Sequence, residues 1–200
     1  MVTQDTQEEF EFVKKVMEES RRTLIHEGVD FLRWGILASL GIFASYFYHH
    51  FQWQMEHVWI FWSAIVIIGW VFSIRSYIRV RKQKATSFTG KIIWSTWIGC
   101  GIALTILGFI GPLSGAYGAI YITAVTAAVM GIGYYANGIL IGSRWHIIFA
   151  LAWWCGSIVL FFYHRIESLL IFGLMMVCFQ VIPGYIFVRQ RRKGVEEAKE

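Results

Sequence analysis

The chain has 200 residues, 56% of them hydrophobic, with a net charge of +5 and a mean hydropathy of +0.53. A soluble core could not hide that much apolar side chain. The apolar residues gather into nearly uncharged runs of about twenty residues, the length that crosses ~30 Å of hydrocarbon at ~1.5 Å per residue. The sequence therefore predicts an all-α polytopic membrane bundle, with lipid as the solvent for most of the chain.

Residues 1–32 form the first region, a cytoplasmic amphipathic helix. Within residues 7–27, Phe10, Val13, Met17 and Leu24 recur at spacings of three and four, with Phe12 and Val16 beside them. Glu18 lies four residues before Arg22, and Lys14 four before Glu18, so the opposite face carries helical ion pairs. This segment is expected to lie along the inner membrane surface or beneath the bundle, with docking to a cytoplasmic or membrane protein partner as the competing role. No secretory signal is evident in these polar residues, so the N-terminus is expected to stay in the cytoplasm.

Six spans follow within residues 33–188, at about 33–51, 57–78, 91–111, 114–141, 145–163 and 167–188. Gly111-Pro112 is expected to divide the third from the fourth, since proline removes a backbone donor and restricts the residue before it. Ser143-Arg144 and His164-Arg165 read as tight polar turns, and Pro183-Gly184 as a bend near the end of the last span. Residues 189–200 are a charged tail.

Orientation follows from Lys and Arg. With the N-terminus inside, seventeen of them fall on the inner side and Arg165 alone on the outer, which predicts the cell inner membrane with both termini cytoplasmic. Arg79, Arg81, Lys82, Lys84, Arg189, Arg191, Arg192 and Lys193 are the candidate contacts for anionic inner-leaflet lipid. That partner accounts for the positive charge without nucleic acid. Trp34, Trp94, Trp97 and Trp145 read as anchors at the inner interface, and Trp53, Trp59 and Tyr163 as anchors at the outer one.

Three features bear on internal organisation. Arg33-Trp34, Lys91 with Trp94, and Arg144-Trp145 open alternate spans, and Ser76-Tyr77, Gly133-Tyr134 and Gly184-Tyr185 close the others, so the bundle is a candidate for three repeated hairpins. Selection of the same residues at every inner interface explains the pattern equally well. Ala119, Thr123, Ala127 and Gly131 repeat small residues every four positions and mark the fourth span as the bundle's centre, with Gly41 and Ser45, and Gly101 and Thr105, as shorter versions. A homo-oligomer is a further expectation.

Site chemistry is sparse. The middle of each span lacks Asp, Glu, Lys and Arg, against an ion-coupled transporter, and Asn137 and Gln180 are the candidate residues of a pathway. His49, His50, His57 and His164 fall at outer ends of spans, and they are the candidate metal or haem ligands, although their spacing matches no tight motif. His26 and His146 read as interfacial. Cys100, Cys155 and Cys178 read as small buried hydrophobes. No nucleophile triad, phosphate loop, paired catalytic carboxylates or HExxH pattern is present, so no enzyme activity and no cofactor are expected.

Met17 to Arg22, the stretch from Gly138 to Trp154, and Val181-Ile182-Pro183-Gly184-Tyr185 before a basic tail resemble a group of bacterial inner-membrane proteins of about this length, commonest in the Bacteroidota. Such proteins tend to be Lys-rich after the fourth span, where this chain has only Ser143-Arg144. The resemblance implies six helices and carries over no active-site residue. The expected function is a sensing, scaffolding or accessory role using the cytoplasmic helix and basic rim. A carrier or channel for a neutral or amphiphilic solute is the alternative, and a metal or haem protein the third reading.

Overall fold

The computed structural model describes residues 4–51, 58–82, 88–163, 165–186 and 188–189, and for residues 4–9, 15–28, 80–82 and 88–89 the backbone alone. All regular structure among them is helical. We number six helices: α1 Gln4–His50, α2 Val58–Lys82, α3 Phe88–Thr105, α4 Ile122–Ile141, α5 Arg144–Phe162 and α6 Ser168–Met176. A π-turn, Ile106–Ile110, and the turn Gly111–Leu113 prolong α3, and a second π-turn, Val177–Val181, prolongs α6. A 3-10 turn, Ala119–Tyr121, precedes α4. The six stretches long and apolar enough to cross a membrane are Val29–His50, Val58–Arg79, Gly90–Leu113, Ala119–Ile141, Arg144–Phe162 and Ser168–Ile186. They agree with the expected spans to within a few residues.

The N-terminal segment is not a separate element. Gln4–His50 is one helix of 47 residues, about 70 Å long, with no proline and no non-helical residue to turn it onto the membrane plane. Gly28 alone does not interrupt it.

Burial grades the helices. Half of the α4 window is buried, against 6% of the α2 window, so α4 is the bundle's axis and α2 its lipid-facing edge. The most extensive pairings join α4 with α5 and α1 with α6. Both cross the boundaries of the three candidate hairpins, so the packing does not follow that division.

One local device recurs where helices meet. The Trp34 indole of α1 lies over Gly69 of α2, where a Cβ would meet it at 2.2 Å, and donates its N–H to Ser73 Oγ at 2.8 Å. Trp62 of α2 returns the arrangement over Gly41 of α1, donating to Ser45 Oγ at 3.0 Å. Trp70 of α2 lies over Gly101 of α3 and donates to Thr105 Oγ1 at 3.4 Å. Each time the glycine and the hydroxyl are four residues apart, one above the other on a helix face. The glycine opens a slot for the ring, and the hydroxyl receives its proton. Ser45 and Thr105 pass their own protons to the carbonyls of Gly41 and Gly101 at 2.9 and 2.8 Å, leaving their lone pairs toward the indoles. Such interhelical bonds contribute about 0.6 kcal/mol each in membranes, rarely beyond ~1.7 kcal/mol.

This device corrects the expected inner anchors. Trp34, Trp94 and Trp97 pack between helices, and Trp145 alone of that group is widely exposed. For Trp34 and Trp97 a facing glycine, Gly69 and Gly133, offers the indole more contact than the interface does, while Trp94 packs edge-on against Tyr77. The small-residue stripe also needs one correction. Thr123, Ala127 and Gly131 are buried on α4, but Ala119 is exposed in the preceding 3-10 turn. Trp154 of α5 lies over Gly131 and donates to the Ala128 carbonyl at 3.1 Å, and Ser157 donates to the Ala124 carbonyl at 2.8 Å.

Both prolines lie inside helical stretches, each two residues beyond the end of a π-turn. The α3 span therefore runs on to Leu113 instead of ending at Gly111. In α3 the Gly111 N–H reaches five residues back to the Ile106 carbonyl, so Pro112 in that register leaves the Leu107 carbonyl without a partner. Tyr117, from the following loop, donates its hydroxyl proton to that carbonyl. Between α4 and α5, Gly142 has φ +63°. Its N–H bonds to the Ile139 carbonyl and that of Ser143 to the Gly138 carbonyl, the closing pattern that needs a left-handed residue at a helix end.

Candidate functional site

Three of the buried polar side chains, Asn137, His146 and Gln180, gather near Tyr134 toward the end of the bundle where α4 gives way to α5. Tyr134 of α4 is 1% exposed and has five rings around it: Phe31 of α1, Trp97 of α3, and His146, Phe149 and Trp153 of α5, with centroids 5.7 to 6.4 Å away. Its hydroxyl faces α6, with the Phe179 carbonyl at 2.5 Å and Gln180 Oε1 at 2.7 Å. One phenolic proton serves two acceptors. The Ile182 N–H reaches five residues back to the Val177 carbonyl, and Pro183 beyond it has no N–H, so a carbonyl of this π-turn is left short of a donor. Tyr134 thus supplies a proton to a carbonyl of the α6 π-turn, as Tyr117 does to the Leu107 carbonyl of the α3 π-turn.

Gln180 completes the junction by donating its Nε2 proton to the Phe31 carbonyl at 3.3 Å. The two helices touch closely here. A Cβ on Gly184 would lie 2.8 Å from the Leu32 nitrogen, and one on Gly35 2.9 Å from Gln180 Cγ. Spans α1, α4 and α6 are therefore tied at one point.

The two candidate pathway residues part company. Gln180 is engaged at both ends of its amide, whereas Asn137, one turn inward of Tyr134, is fully buried and bonds no described residue through either Oδ1 or Nδ2. His146 is 5% exposed rather than interfacial, with Nδ1 2.9 Å from Ser143 Oγ. It opens α5 directly after the Gly142 turn and is folded in beneath Tyr134.

Of the four candidate ligand histidines, two are among the described residues. His49 and His50 are exposed at the end of α1, where His50 stacks on Tyr46 at 5.7 Å; His57 and His164 lie outside the described residues. Among the described residues no three His, Cys, Asp or Glu side chains come close enough to hold a metal ion. Cys100 is buried as expected, Cys178 is half-buried and Cys155 is exposed on the outside of α5.

Of the candidate head-group contacts, Arg79 and Arg189 are exposed. Arg81 and Lys82 are described by backbone only, and Lys84, Arg191, Arg192 and Lys193 lie outside the described residues. Arg33 pairs with Asp30 at 3.3 Å and covers the Phe72 ring at 5.4 Å, linking α1 to α2.

Sequence reasoning named Tyr134 only as the close of a candidate hairpin and passed over Phe31, because a lone Tyr or Phe near a span's end is indistinguishable from an interface residue. The Tyr134 to Asn137 spacing places both on one helix face, and it was the available signal. Comparison with protein-family models, curated proteins and solved structures finds no match to this chain.

Proposed function

We propose that this chain is a non-enzymatic sensing or accessory protein of the cytoplasmic membrane, in which the bundle holds α1 upright and its cytoplasmic part carries a protein partner. The observation that supports this reading is the continuity of Gln4–His50. Phe10 and Val13, 71% and 49% exposed, stand on one face about 25 Å or more before the first span begins at Val29. Apolar side chains that far from the bilayer are covered by another protein more readily than by lipid. The Lys and Arg asymmetry sets this end in the cytoplasm, and Arg79 and Arg189 face the anionic inner leaflet there. Removal of residues 1–28, alongside Phe10→Ser with Val13→Ser in the full chain, tests the reading by pull-down from native membranes. Both variants lose the partner while the bundle still extracts as a folded species; unchanged partners contradict the proposal.

A second reading, a carrier for a neutral solute, draws on the interruption of α3 and α6 by π-turns and prolines toward opposite ends of the bundle, since broken spans are where carriers gather polar groups. Solute flux into proteoliposomes that falls with bulky replacements at Gly131 or Asn137 would favour it.

A further inference from the structure

The pairing of α1 with α6 holds one antiparallel register at three successive points. Gly173 stands against Ile42 and Phe43, Gly35 against Gln180 and Val181, and Gly184 against Leu32. Each step forward on α6 is a step backward on α1, and at every point a glycine of one helix faces a larger residue of the other. Past the end of the last span at Ile186, residues 188 and 189 are again helical, with Val188 half-buried and Arg189 exposed. By the same count Val188 falls opposite Gly28, below the start of the first span at Val29.

The cytoplasmic part of α1 keeps an apolar face on that same side. Leu24 and Met17 precede Phe31 by seven and fourteen residues. A straight helix drifts only about 20° per heptad, so both stay on the side of α1 where Phe31 enters the bundle. A second copy is shut out of that side, because the rest of each copy's own bundle stands above it. Residues 190–200 of the same chain follow directly from Val188, and in the common register they run along α1 from His26 to Val16. Val195 lies seven residues beyond Val188 and fourteen beyond Val181, which prolongs the apolar stripe of α6. The charges alternate in step: backward along α1 come Glu27, Arg21, Glu18 and Lys14, and forward from Arg189 come the basic run to Lys193, Glu196 with Glu197, Lys199 and Glu200. At each of the four places opposite signs meet within one turn. We propose that residues 190–200 prolong α6 as a helix docked antiparallel along residues 16–27 of α1, bracing the cytoplasmic part of α1 beneath its own bundle. The contact stops at Val16, short of Phe10 and Val13, so it stands whether or not a protein partner binds there.

Cross-linking of the full chain, with its three native cysteines replaced, tests this in membranes. Met17→Cys and Ala198→Cys stand opposite each other in the register, and a short bis-maleimide joins them within one chain. Met17→Cys with Arg191→Cys, seven residues or about 10 Å out of register, links several-fold less. Adding Arg21→Glu to the first pair lowers its yield about threefold, and Glu196→Lys with Glu197→Lys then restores it. The yield is the same in vesicles of phosphatidylcholine and in vesicles of phosphatidylcholine mixed with phosphatidylglycerol. Equal yields at positions 191 and 198 would overturn the proposal, as would a link that joins two chains or a charge reversal that is not restored. A yield that collapses when phosphatidylglycerol is present would also overturn it, by assigning the basic run to anionic lipid instead of α1.

Discussion

Tyr134→Phe removes one oxygen and keeps every ring contact, so it isolates the tie between α4 and α6. The hydroxyl lies 2.5 Å from the Phe179 carbonyl and 2.7 Å from Gln180 Oε1. Without it the Phe179 carbonyl has neither the phenol nor an N–H from Pro183. A buried acceptor left alone costs about 1–3 kcal/mol, while interhelical bonds measured in membranes average about 0.6 kcal/mol and reach ~1.7 kcal/mol. We expect a loss of about 1.5 kcal/mol, read by reversible unfolding in mixed micelles. Cys178, half-buried in the π-turn beside Phe179, reacts faster with maleimide in the variant as that turn loosens. The decisive arm is a double-mutant cycle. Pro183→Ala restores an N–H beside the π-turn and lets the α-register resume toward Phe179, so in that background Tyr134→Phe costs about 1 kcal/mol less. Equal costs in the two backgrounds, with unchanged Cys178 labelling, would refute the proposed pairing of tyrosine and proline.

Gly69→Ala sets a Cβ 2.2 Å from the Trp34 ring and expels the indole from Ser73. Circular dichroism melts fall by several degrees, and Trp34→Ala in the same chain recovers part of the loss by vacating the slot. Gly184→Ala drives a Cβ against the α1 backbone at Leu32, 2.8 Å away, which no rotamer change relieves. It parts α1 from α6, lowers stability by about 1–3 kcal/mol, and weakens partner capture through the α1 extension in the same pull-down. Tyr117 lies in the loop between α3 and α4, and burial pushes its phenol above the ordinary value. Its folded value being raised, its contribution is fully present below the ordinary phenol range and is lost as pH rises through the folded value. Unfolding temperatures therefore drop above about pH 10, and in Tyr117→Phe that component of the drop is missing.

The six spans were legible because lipid imposes a length and a polarity that a single run of residues must meet alone. Their borders were legible for the same reason, as Arg144 and Ser168 illustrate. The packing was legible only where it is local in sequence. Gly41 with Ser45 and Gly101 with Thr105 could be read as close-approach sites, but not that Trp62 and Trp70 would fill them, because that choice depends on the neighbouring helix. Trp34 and Trp97 have the composition and position of interface anchors, and only the glycines opposite, Gly69 and Gly133, decide otherwise. Pro183 announced a bend, and Gly111-Pro112 a division between spans. That each is preceded by a π-turn and relieved by a tyrosine, Tyr117 or Tyr134, involves partners 5 and 49 residues away in the chain, beyond any local pattern. The unbroken α1 was missed because the change from charged to apolar residues near Arg33 looks like an element boundary, while backbone geometry needs no break there. Asn137 could be singled out as polar, but its lack of partners is a property of the fold.

The most direct measurement is vectorial thiol labelling in intact cells, using a chain whose three native cysteines are replaced and one cysteine is returned at a time. At Ala116, in the connection between α3 and α4, a membrane-impermeant maleimide labels from outside. At Thr3, and at Ser87 between α2 and α3, it labels only after the membrane is permeabilised. Labelling of Thr3→Cys or Ser87→Cys from outside would place the α1 extension in the wrong compartment and contradict the account of what α1 is for.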